Sequence, residues 1–442
     1  MAFARGRVRW LQDWLIRRPF LRNVSIMLGG AAGGQMVSIV LSPVLTRLYS
    51  PQQFGVLSVY SAILAILVVV ASLRYELALP LVRSDEDAIN LMAVCLCVLL
   101  ATTAVVGLGA FAFPDRLLDS LWPNPVNSIH VASYRGLLIL GYACLGAYFI
   151  ALYVATRAGA FHSIAKTRFG QGVVGPVSQI GLAMLGGSTP GLLVGSILGQ
   201  SAGTFGLFFA VIPDRHALVR ALSWQRMADM ARRYSRFPLI ASWAALIDAI
   251  GSNQLLYLLI SVQYSARIAG FIFLVERIVS RPLAIIGTSI LQVFVGEAGQ
   301  TVSSDPAKLK SRFYQVVLRQ FVLAVAWVVI TNVAGAMLFP FVFGAEWTEG
   351  IVYLQAMSLG YLALAIVQPV FHTLQILEKQ SLAAAWQIGR LLLTAGTFEL
   401  GAALGYDAPW VIAGYGAAQA VACIVLLLLM AHSIQQLQKV RP

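Results

Sequence analysis

The side chains best suited to chemistry are charged residues that fall inside long apolar stretches. Arg277 and Arg281 are four residues apart, so a helix places both guanidinium groups on one face. Arg390 lies in another apolar stretch further along the chain. Guanidinium groups in a medium of low dielectric constant need a compensating anion, and a diphosphate can supply it through forked hydrogen bonds. The alternative is a structural network in which nearby carboxylates neutralise these arginines.

Carboxylates in similar surroundings are the candidate partners of these arginines. Ionisable residues within apolar stretches are costly and usually face a cavity or a partner. The predicted substrate-binding residues are Arg277, Arg281, Arg390, Arg47 and Arg74. The predicted ion-coupling groups or charge partners are Asp248, Glu276, Glu399 and Glu76. For Asp248 and Glu399, the alternative of a structural partner for a buried arginine is somewhat the stronger one.

Several kinds of catalytic chemistry have no residues to support them. No lysine follows a glycine, so the phosphate-binding lysine of a P-loop is missing and no ATPase activity is expected by that route. The five histidines are scattered and form no metal-spaced cluster, and no Gly-x-Ser-x-Gly nucleophile motif occurs. We therefore predict no catalytic residues, no metal site and no cofactor, which means that the chain is not an enzyme.

The composition indicates what must position the charged residues. Of 442 residues, 59% are hydrophobic and only 11% are charged, whereas about 25% are charged in ordinary soluble domains. The mean hydropathy is +0.80. These values exclude a disordered chain, a disulfide scaffold and a conventional soluble enzyme, and they predict an all-α polytopic membrane protein with the lipid bilayer as a partner. The net charge of +13 is attributed to basic loops and not to nucleic-acid binding.

The apolar stretches predict twelve transmembrane helices, since a span needs about 20 mostly apolar residues. The predicted spans are 24–46, 55–73, 88–113, 136–156, 171–187, 191–212, 238–260, 268–295, 321–343, 351–376, 382–404 and 409–431. Spans five and six are short, rich in glycine and joined by only four residues, 187–190. A single re-entrant pair would give a similar pattern.

The distribution of basic residues predicts the orientation. Most of the 31 lysines and arginines fall in segments that alternate spans place on one side. The opposite loops carry only Arg47, Arg116, Arg135 and Arg267. Because basic loops stay in the cytoplasm, both termini are predicted to be cytoplasmic. Residues 1–22 interleave arginines with Trp10 and Trp14, which predicts either a basic stretch on the membrane surface or a frayed basic tail.

A basic loop and a short repeat divide the chain into two halves. The longest basic loop, 213–237, follows span six. Tyr49 to Gly55 and Tyr264 to Gly270 both read Tyr-Ser-x4-Gly at equivalent corners. We predict an N-terminal lobe, 1–225, and a C-terminal lobe, 226–442, each with six helices. Repeats with an even number of spans are related by a pseudo-two-fold axis along the membrane normal.

Three stretches resemble bacterial oligosaccharide and O-antigen-unit flippases. They are 41–55, LSPVLTRLYSPQQFG, 73–80, LRYELALP, and 276–283, ERIVSRPL. These flippases form the polysaccharide transporter family of the multidrug/oligosaccharidyl-lipid/polysaccharide (MOP) exporter superfamily. The family often carries cationic residues in the cavity of its N-lobe, whereas the membrane arginines here lie mainly in spans eight and eleven.

The resemblance implies a substrate and a place in the cell. It implies that two lobes with alternating access move an undecaprenyl-diphosphate-linked oligosaccharide from the cytoplasmic to the periplasmic leaflet. It also implies the bacterial inner membrane, a role in lipopolysaccharide and O-antigen synthesis, and a polymerase or ligase of the same pathway as a partner. A membrane potential is worth about 2.3 kcal/mol per charge per 100 mV. With a negative cytosol, outward movement of an anionic diphosphate is therefore favourable if its charge crosses the field.

Other functions fit parts of the same pattern. A drug/cation antiporter of the same superfamily would share the fold but have a hydrophobic, acidic cavity, which the arginines argue against. A lipid II flippase commonly carries two further helices. An integral-membrane glycan polymerase or ligase tends to present a large outer loop, and the largest one here, 114–135, is short.

Overall fold

The computed structural model describes residues 19–112, 131–211, 221–250, 254–304 and 306–440. Almost all of these residues are helical, and none of them forms a β-strand. The protein is therefore all-α over its described length, as the composition predicts. The basic stretch up to residue 18, most of the loop 114–135 and part of the loop 213–237 lie outside the described residues.

The helices of the first six spans follow the predicted order. Span one is divided into Pro19–Val40 and Ser42–Leu48, and span six into Thr189–Ser201 and Thr204–Val211. Spans two to five are Pro51–Val68, Asp85–Ala112, Arg135–Arg157 and Phe161–Met184. The 3₁₀ helices Tyr75–Leu81 and Val131–Tyr134 lie after span two and before span four, and the helix Trp224–Arg233 precedes span seven.

The last six spans contain more irregular turns. Span seven consists of the π turn Phe237–Ala241 with Ser242–Ile250 and Gln254–Gln263, and span eight of Ala266–Val275, the π turn Glu276–Ser280 and Arg281–Ser304. Span nine is Pro306–Phe343, and the 3₁₀ turn Ala345–Trp347 follows it. Span ten consists of Gly350–Val367, Gln368–Val370 and Thr373–Ile376, and spans eleven and twelve are Gln380–Ala403 and Ala408–Val440.

The helix lengths agree with twelve spans. In the described residues, eight helices are long and apolar enough to cross a bilayer, and two bent helix pairs, in spans one and seven, bring the number to ten. The other two spans, five and eleven, are more polar helices of 24 residues. At 1.5 Å per residue each measures about 36 Å, which is enough to cross the hydrocarbon core. Twelve spans are confirmed, and spans five and six are two separate helices.

Prolines explain the irregular points in these helices. The 40° bend in span one lies beside Pro43. Pro238 lies within the π turn Phe237–Ala241, and Pro282 follows the π turn Glu276–Ser280 closely. Proline has no N–H to donate back along the helix, so a widened turn accommodates it. The second π turn carries two of the predicted functional residues.

The chain forms two compact units, each assembled from separated stretches of sequence. Unit 1 contains the described residues within Met1–Leu41, Leu67–Pro114 and Ser133–Leu246. Unit 2 contains those within Ser42–Ile66, Asp115–Ala132 and Ile247–Pro442. The end of span one and most of span two thus pack with the second half of the chain. The division into lobes 1–225 and 226–442 stays a prediction, since a unit defined by its packing is not the same as a lobe that moves during transport.

In unit 1, spans one and five cross at glycine contacts. A Cβ atom on Gly172 would lie 2.2 Å from the carbonyl carbon of Gly34, and one on Gly30 would lie 2.3 Å from the carbonyl oxygen of Ala165. No side chain fits at these distances, so glycine is required for the two backbones to approach so closely. The crossing holds span five, which carries Arg168, against span one.

In unit 2, the two copies of the Tyr-Ser-x4-Gly sequence pack against each other. A Cβ atom on Gly55 would lie 1.8 Å from the carbonyl oxygen of Ala266, and one on Gly270 would lie 1.9 Å from the carbonyl oxygen of Pro51. Pro51 and Ala266 hold the same place in the two copies. A two-fold axis produces this kind of reciprocal contact. The contact therefore supports the internal repeat that the sequence predicts.

Matching caps and a buried tryptophan stabilise this crossing. The hydroxyl oxygens of Ser50 and Ser265 each accept a hydrogen bond from the backbone N–H three residues further on, at 3.4 and 3.2 Å. Such N-caps fix where a helix begins. The fully buried indole of Trp347 donates to the carbonyl oxygen of Thr46 at 2.9 Å. The corner that joins spans one and two is thereby tied to the turn before span ten.

Candidate functional site: a polar cavity in unit 2

A cavity of about 290 Å³ lies among spans seven, eight, ten and eleven, within unit 2. Its polar lining consists of Gln254, Glu276, Ser280, Tyr361, Gln368 and Arg390. Its apolar lining consists of Leu283, Ala284, Leu364 and Ala365. A few convergent polar groups in an apolar wall are typical of small-molecule sites. We call this site the polar cavity.

Helical spacing explains why these residues meet. Glu276 and Ser280 are four residues apart on span eight, and Tyr361 and Gln368 are two turns apart on span ten. Gly287 continues the same face of span eight two turns further on. A Cβ atom there would lie 2.7 Å from Cγ of Gln368. The missing side chain of Gly287 therefore leaves the room that Gln368 occupies.

Glu276 is held in place by the helix next to its own. The hydroxyl of Tyr257, on span seven, donates to Oε2 of Glu276. The ring of Tyr257 packs edge-on against Phe273, with 5.6 Å between the ring centroids. The carboxylate begins the π turn Glu276–Ser280, a kind of distortion that is frequent at functional sites. Its position is therefore fixed from two helices.

Arg390 enters the polar cavity from span eleven. Its guanidinium carbon lies 5.3 Å from the ring centroid of Trp386, one turn earlier, which is a cation–π contact. The indole of Trp386 donates to the carbonyl oxygen of Ala422 at 2.7 Å and is thereby fixed. With Glu276, the arginine gives the polar cavity one positive and one negative charge.

The two other arginines predicted in unit 2 are not among the lining residues of the polar cavity. Arg277 directly follows Glu276 and is 5% exposed. Arg281 places its guanidinium carbon 5.7 Å from the ring centroid of Phe273. The two arginines repel each other electrostatically, as their spacing predicts. They contribute positive charge beside the polar cavity.

Glu399 lies at a different and wider cavity of unit 2. This open cavity of about 960 Å³ is also lined by Gln263, Tyr264, Glu349 and Asp407. Gln263 donates to Glu399 at 2.6 Å. Burial, and next the Asp407 carboxylate, raise the pKa of Tyr264, so its hydroxyl stays protonated as the donor to a backbone carbonyl oxygen at 2.9 Å. Glu399 therefore belongs to an acidic cavity and does not neutralise the arginines of span eight.

Asp248 is likewise separate from the arginines. It is exposed on the helix Ser242–Ile250 and makes no ion pair with any described residue. Of the four predicted carboxylates, only Glu276 lines the polar cavity. Among the described residues, no group of three or more histidine, cysteine or acidic side chains is arranged to hold a metal ion.

In unit 1, Glu76 and Arg74 form a compact turn after span two. Glu76 is 4% exposed, accepts a hydrogen bond from the Ser72 hydroxyl and lies 3.7 Å from Nη1 of Arg74. Leu73 and Arg74 have φ angles of 48° and 62°, in the left-handed region that side chains other than glycine seldom adopt. This strained turn folds the chain around its own carboxylate.

Two residues that the sequence did not single out lie beside this turn. Tyr153 of span four interacts electrostatically with Glu76, Arg74 and Arg168 of span five. The Nε atoms of both arginines are buried and have no hydrogen-bond partner in the described part of the chain. The predicted spans place Arg168 in the loop between spans four and five, but the helix Phe161–Met184 begins before it. Unit 1 therefore has its own cationic cluster.

Arg47 has a structural contact in unit 2. It is exposed, and its Nη2 donates to the carbonyl oxygen of Phe341 at 3.1 Å. The bond ties the short helix Ser42–Leu48 to the end of span nine. This residue lies near the reciprocal glycine contact and not at the polar cavity.

The other polar lining residues of the polar cavity carried partial signals in the sequence. Gln254 and Gln368 are amides in apolar runs, and Ser280 is four residues from Glu276, so spacing alone could have grouped them. Tyr361 gives no such signal, since tyrosine is common in spanning helices. Only the packing of span ten against span eight brings it to the polar cavity.

Comparison with known proteins identifies the family. Residues 44–352 match the family described as polysaccharide biosynthesis protein, which is well over half of the chain. The chain belongs to this family. No curated protein matches the chain.

Solved structures show the fold of this polysaccharide biosynthesis protein. It is similar to an inward-facing multidrug resistance MATE family transporter of the MOP superfamily, with a TM-score of 0.61, 16% identity and coverage of 94% of this chain and 96% of that one. The outward-facing form of a MATE family transporter gives a TM-score of 0.55, 15% identity, and coverage of 95% and 97%. A MOP superfamily transporter from Pyrococcus furiosus, described as having a binding pocket of reverse polarity, gives a TM-score of 0.51 and 15% identity. The match covers 94% of this chain and 95% of that one.

These likenesses assign the architecture. The chain has the same fold as these MOP superfamily transporters along nearly its whole length. It is a multi-pass membrane protein.

Proposed function

We propose that the protein is a flippase for undecaprenyl-diphosphate-linked oligosaccharide units. Two lobes with alternating access carry the cargo from the cytoplasmic to the periplasmic leaflet of the bacterial inner membrane. The product feeds the synthesis of surface polysaccharide such as lipopolysaccharide O-antigen, through a polymerase or ligase of the same pathway. Membership of the polysaccharide biosynthesis family and the MOP transporter fold support this reading.

The observation that carries the proposal is the excess of arginine over carboxylate around the polar cavity. Arg390 lines it, and Arg277 and Arg281 lie on the span that forms one wall, whereas Glu276 is the only carboxylate in the lining. Since Arg390 and Glu276 balance each other, the excess comes from Arg277 and Arg281 beside the polar cavity. Their positive charge favours an anionic cargo, because guanidinium groups bind diphosphates through forked hydrogen bonds. The cationic cluster around Arg74 and Arg168 offers guanidinium groups for a diphosphate within unit 1 as well.

The proposed orientation has both termini in the cytoplasm. The basic segments between alternate spans support it through the positive-inside rule. Cysteine accessibility tests it on intact cells: a single cysteine at Ser303 should be protected from a membrane-impermeant thiol reagent, and one at Glu346 should be labelled. The reverse labelling pattern would contradict this orientation.

The membrane potential is the proposed driving force. It is worth about 2.3 kcal/mol per charge per 100 mV, and with a negative cytosol it favours outward movement of an anion whose charge crosses the field. Ion coupling is then optional, and Glu276 is the carboxylate best placed to provide it. Asp248 and Glu399 are the other groups in unit 2 that we propose for ion coupling.

Flipping can be measured with the purified protein in liposomes that carry a fluorescent undecaprenyl-diphosphate-linked oligosaccharide. We expect transfer to the opposite leaflet above that in empty liposomes, faster with an imposed potential that is negative on the donor side. Arg390→Gln should slow transfer by at least about tenfold, because a hydrogen bond to a charged group contributes about 1.5–3 kcal/mol.

The matched control is Arg226→Gln, since Arg226 is exposed and pairs with Glu86 in unit 1. It neither lines the polar cavity nor belongs to the cluster of Arg74 and Arg168. It should leave transfer unchanged. Absence of transfer in folded protein with every lipid-linked glycan tried would contradict the proposal. Transfer rates that do not change with membrane potential, pH or sodium concentration would contradict only the proposed driving force and ion coupling.

A cation-coupled antiporter of the same superfamily is the second candidate. The feature that favours it is the acidic cavity at Glu399, where a cationic drug would find Glu349 and Asp407 as well. Uptake of a fluorescent organic cation into the same liposomes, driven by a sodium or proton gradient, discriminates between the two. Uptake that is lost in Glu399→Gln would favour the antiporter.

A further inference from the structure

The polar cavity offers more hydrogen-bonding groups than its two charges require. The amides of Gln254 and Gln368 carry both donors and acceptors, and Ser280 adds a hydroxyl. These groups enter from spans seven, eight and ten, so they surround the space from different sides. Such a set matches a ligand whose surface alternates donors and acceptors in every direction, as the hydroxyl groups of a sugar ring do.

Tyr361 points to a ligand in this space. Its side chain is 1% exposed and lines the polar cavity. Its hydroxyl has no hydrogen-bond partner in the described part of the chain. An unsatisfied buried polar group costs about 1–3 kcal/mol. A ligand that hydrogen-bonds this hydroxyl would remove the cost.

Charge and size exclude the two simplest occupants. Glu276 and Arg390 balance each other in the lining, so the polar cavity attracts neither a metal cation nor a diphosphate strongly through its net charge. At about 30 Å³ per water molecule, 290 Å³ corresponds to about ten waters. This volume is too large for a bare ion, and an oligosaccharide would extend beyond it. It suits one sugar residue.

We propose that the polar cavity binds one uncharged sugar residue of the transported glycan. The inference rests on the proposed function, since the sugar belongs to the cargo of the flippase. Glu276 accepts hydrogen bonds from sugar hydroxyls, Arg390 donates to them, and the amides and Tyr361 do both. The diphosphate then lies outside the polar cavity, at arginines that do not line it. The balanced lining discriminates against uronic acids, because a sugar carboxylate would add a third charge and leave the lining with one negative charge in excess.

Binding of soluble sugars to the full-length protein in nanodiscs tests the proposal without any transport step. Saturation-transfer NMR would compare maltose, cellobiose and chitobiose with the anionic digalacturonate. We expect at least one uncharged disaccharide to bind and digalacturonate to bind at least about tenfold more weakly. Tyr361→Phe should weaken binding of the uncharged sugar about three- to tenfold, and Gln254→Ala with Gln368→Ala by more than tenfold.

Tyr142→Phe is the matched control, because Tyr142 is equally buried but lies in unit 1. It should leave sugar binding unchanged, and thermal unfolding shows whether each variant is folded. Absence of binding to every uncharged sugar, equal or better binding of digalacturonate, or binding that Tyr361→Phe leaves intact would each overturn the proposal. So would sodium binding that Glu276→Gln abolishes while no sugar binds.

The flipping assay separates this inference from the function on which it rests. Transfer of lipid-linked oligosaccharide without sugar binding at the polar cavity would overturn the inference and leave the flippase standing. Sugar binding that Tyr361→Phe weakens, in protein that transfers no lipid-linked glycan, would support the sugar site and overturn the flippase.

Discussion

Glu76 in unit 1 and Glu276 in unit 2 are both carboxylates in apolar surroundings, but they have different kinds of partner. Glu76 accepts a hydrogen bond from Ser72 and pairs with Arg74, and both residues lie in its own turn. Glu276 receives a hydrogen bond from Tyr257 on another span and shares a cavity with Arg390. One carboxylate is satisfied locally, and the other is placed where several helices converge.

This difference separates a structural charge from one that is available to a ligand. A carboxylate bound by its own turn fixes the backbone, here including the left-handed residues Leu73 and Arg74. A carboxylate that several spans position depends on tertiary packing, and it borders space that a ligand can fill. We therefore expect substitutions at Glu76 to change stability and substitutions at Glu276 to change transport.

Glu276→Gln should have the largest effect on transport. The substitution keeps the shape of the side chain but removes the charge that balances Arg390 and accepts hydrogen bonds from cargo. We expect the flipping rate in liposomes to fall about 10- to 100-fold, which corresponds to one charged hydrogen bond. The midpoint of thermal unfolding in detergent should change little. A normal flipping rate in this variant would show that Glu276, like Glu76, has a structural role.

Glu76→Gln should give the opposite pattern. The substitution removes the negative charge that pairs with Arg74 and weakens the hydrogen bond from Ser72. We therefore expect the free energy of unfolding to fall by about 2 kcal/mol. Transfer per folded molecule should remain close to that of the original protein. The comparison breaks down if unfolding is unchanged while flipping is lost, because Glu76 would then act on cargo with the nearby Arg168.

Much of the fold could be predicted because its causes are local. Apolar length alone gave the twelve spans, and the Tyr-Ser-x4-Gly repeat marked the two corners that the structure brings together at Gly55 and Gly270. The assignment of Ser42–Ile66 to unit 2 could not be predicted. It depends on the reciprocal glycine contact, which involves residues more than 200 positions apart in the sequence.

The site was less predictable than the fold for the same reason. Spacing identified Arg277 and Arg281 as a pair but could not show which side of span eight faces a cavity. The structure places Glu276 and Ser280 on that side instead. Only the packing of span ten brings Tyr361 to the site. Arg168 was not predicted because the helix of span five begins at Phe161, before the apolar stretch that identifies this span.

Gly287→Ala should sharpen the description of the polar cavity. The new methyl group would lie within 3 Å of Cγ and Cβ of Gln368, so the amide must move out of its position. We expect flipping to slow about fivefold, because one neutral hydrogen bond is worth about 1 kcal/mol. Gly389→Ala on span eleven is the control, since a Cβ atom there meets nothing within 4 Å. Equal rates in both variants would show that Gln368 does not matter for transport.

The smallest effects come from removing the hydroxyl that donates to each carboxylate. Ser72→Ala and Tyr257→Phe each delete one donor, to Glu76 and Glu276 respectively. For Ser72→Ala we expect about 1 kcal/mol less stability and unchanged flipping, since the bond lies within one turn. For Tyr257→Phe we expect flipping to slow a few-fold, because a carboxylate released from Tyr257 can leave its place in the polar cavity. Chemical unfolding and the liposome assay on both proteins measure the two effects side by side. If both variants lose only stability, then Glu276 is as structural as Glu76, and the distinction between local and convergent partners carries no functional meaning.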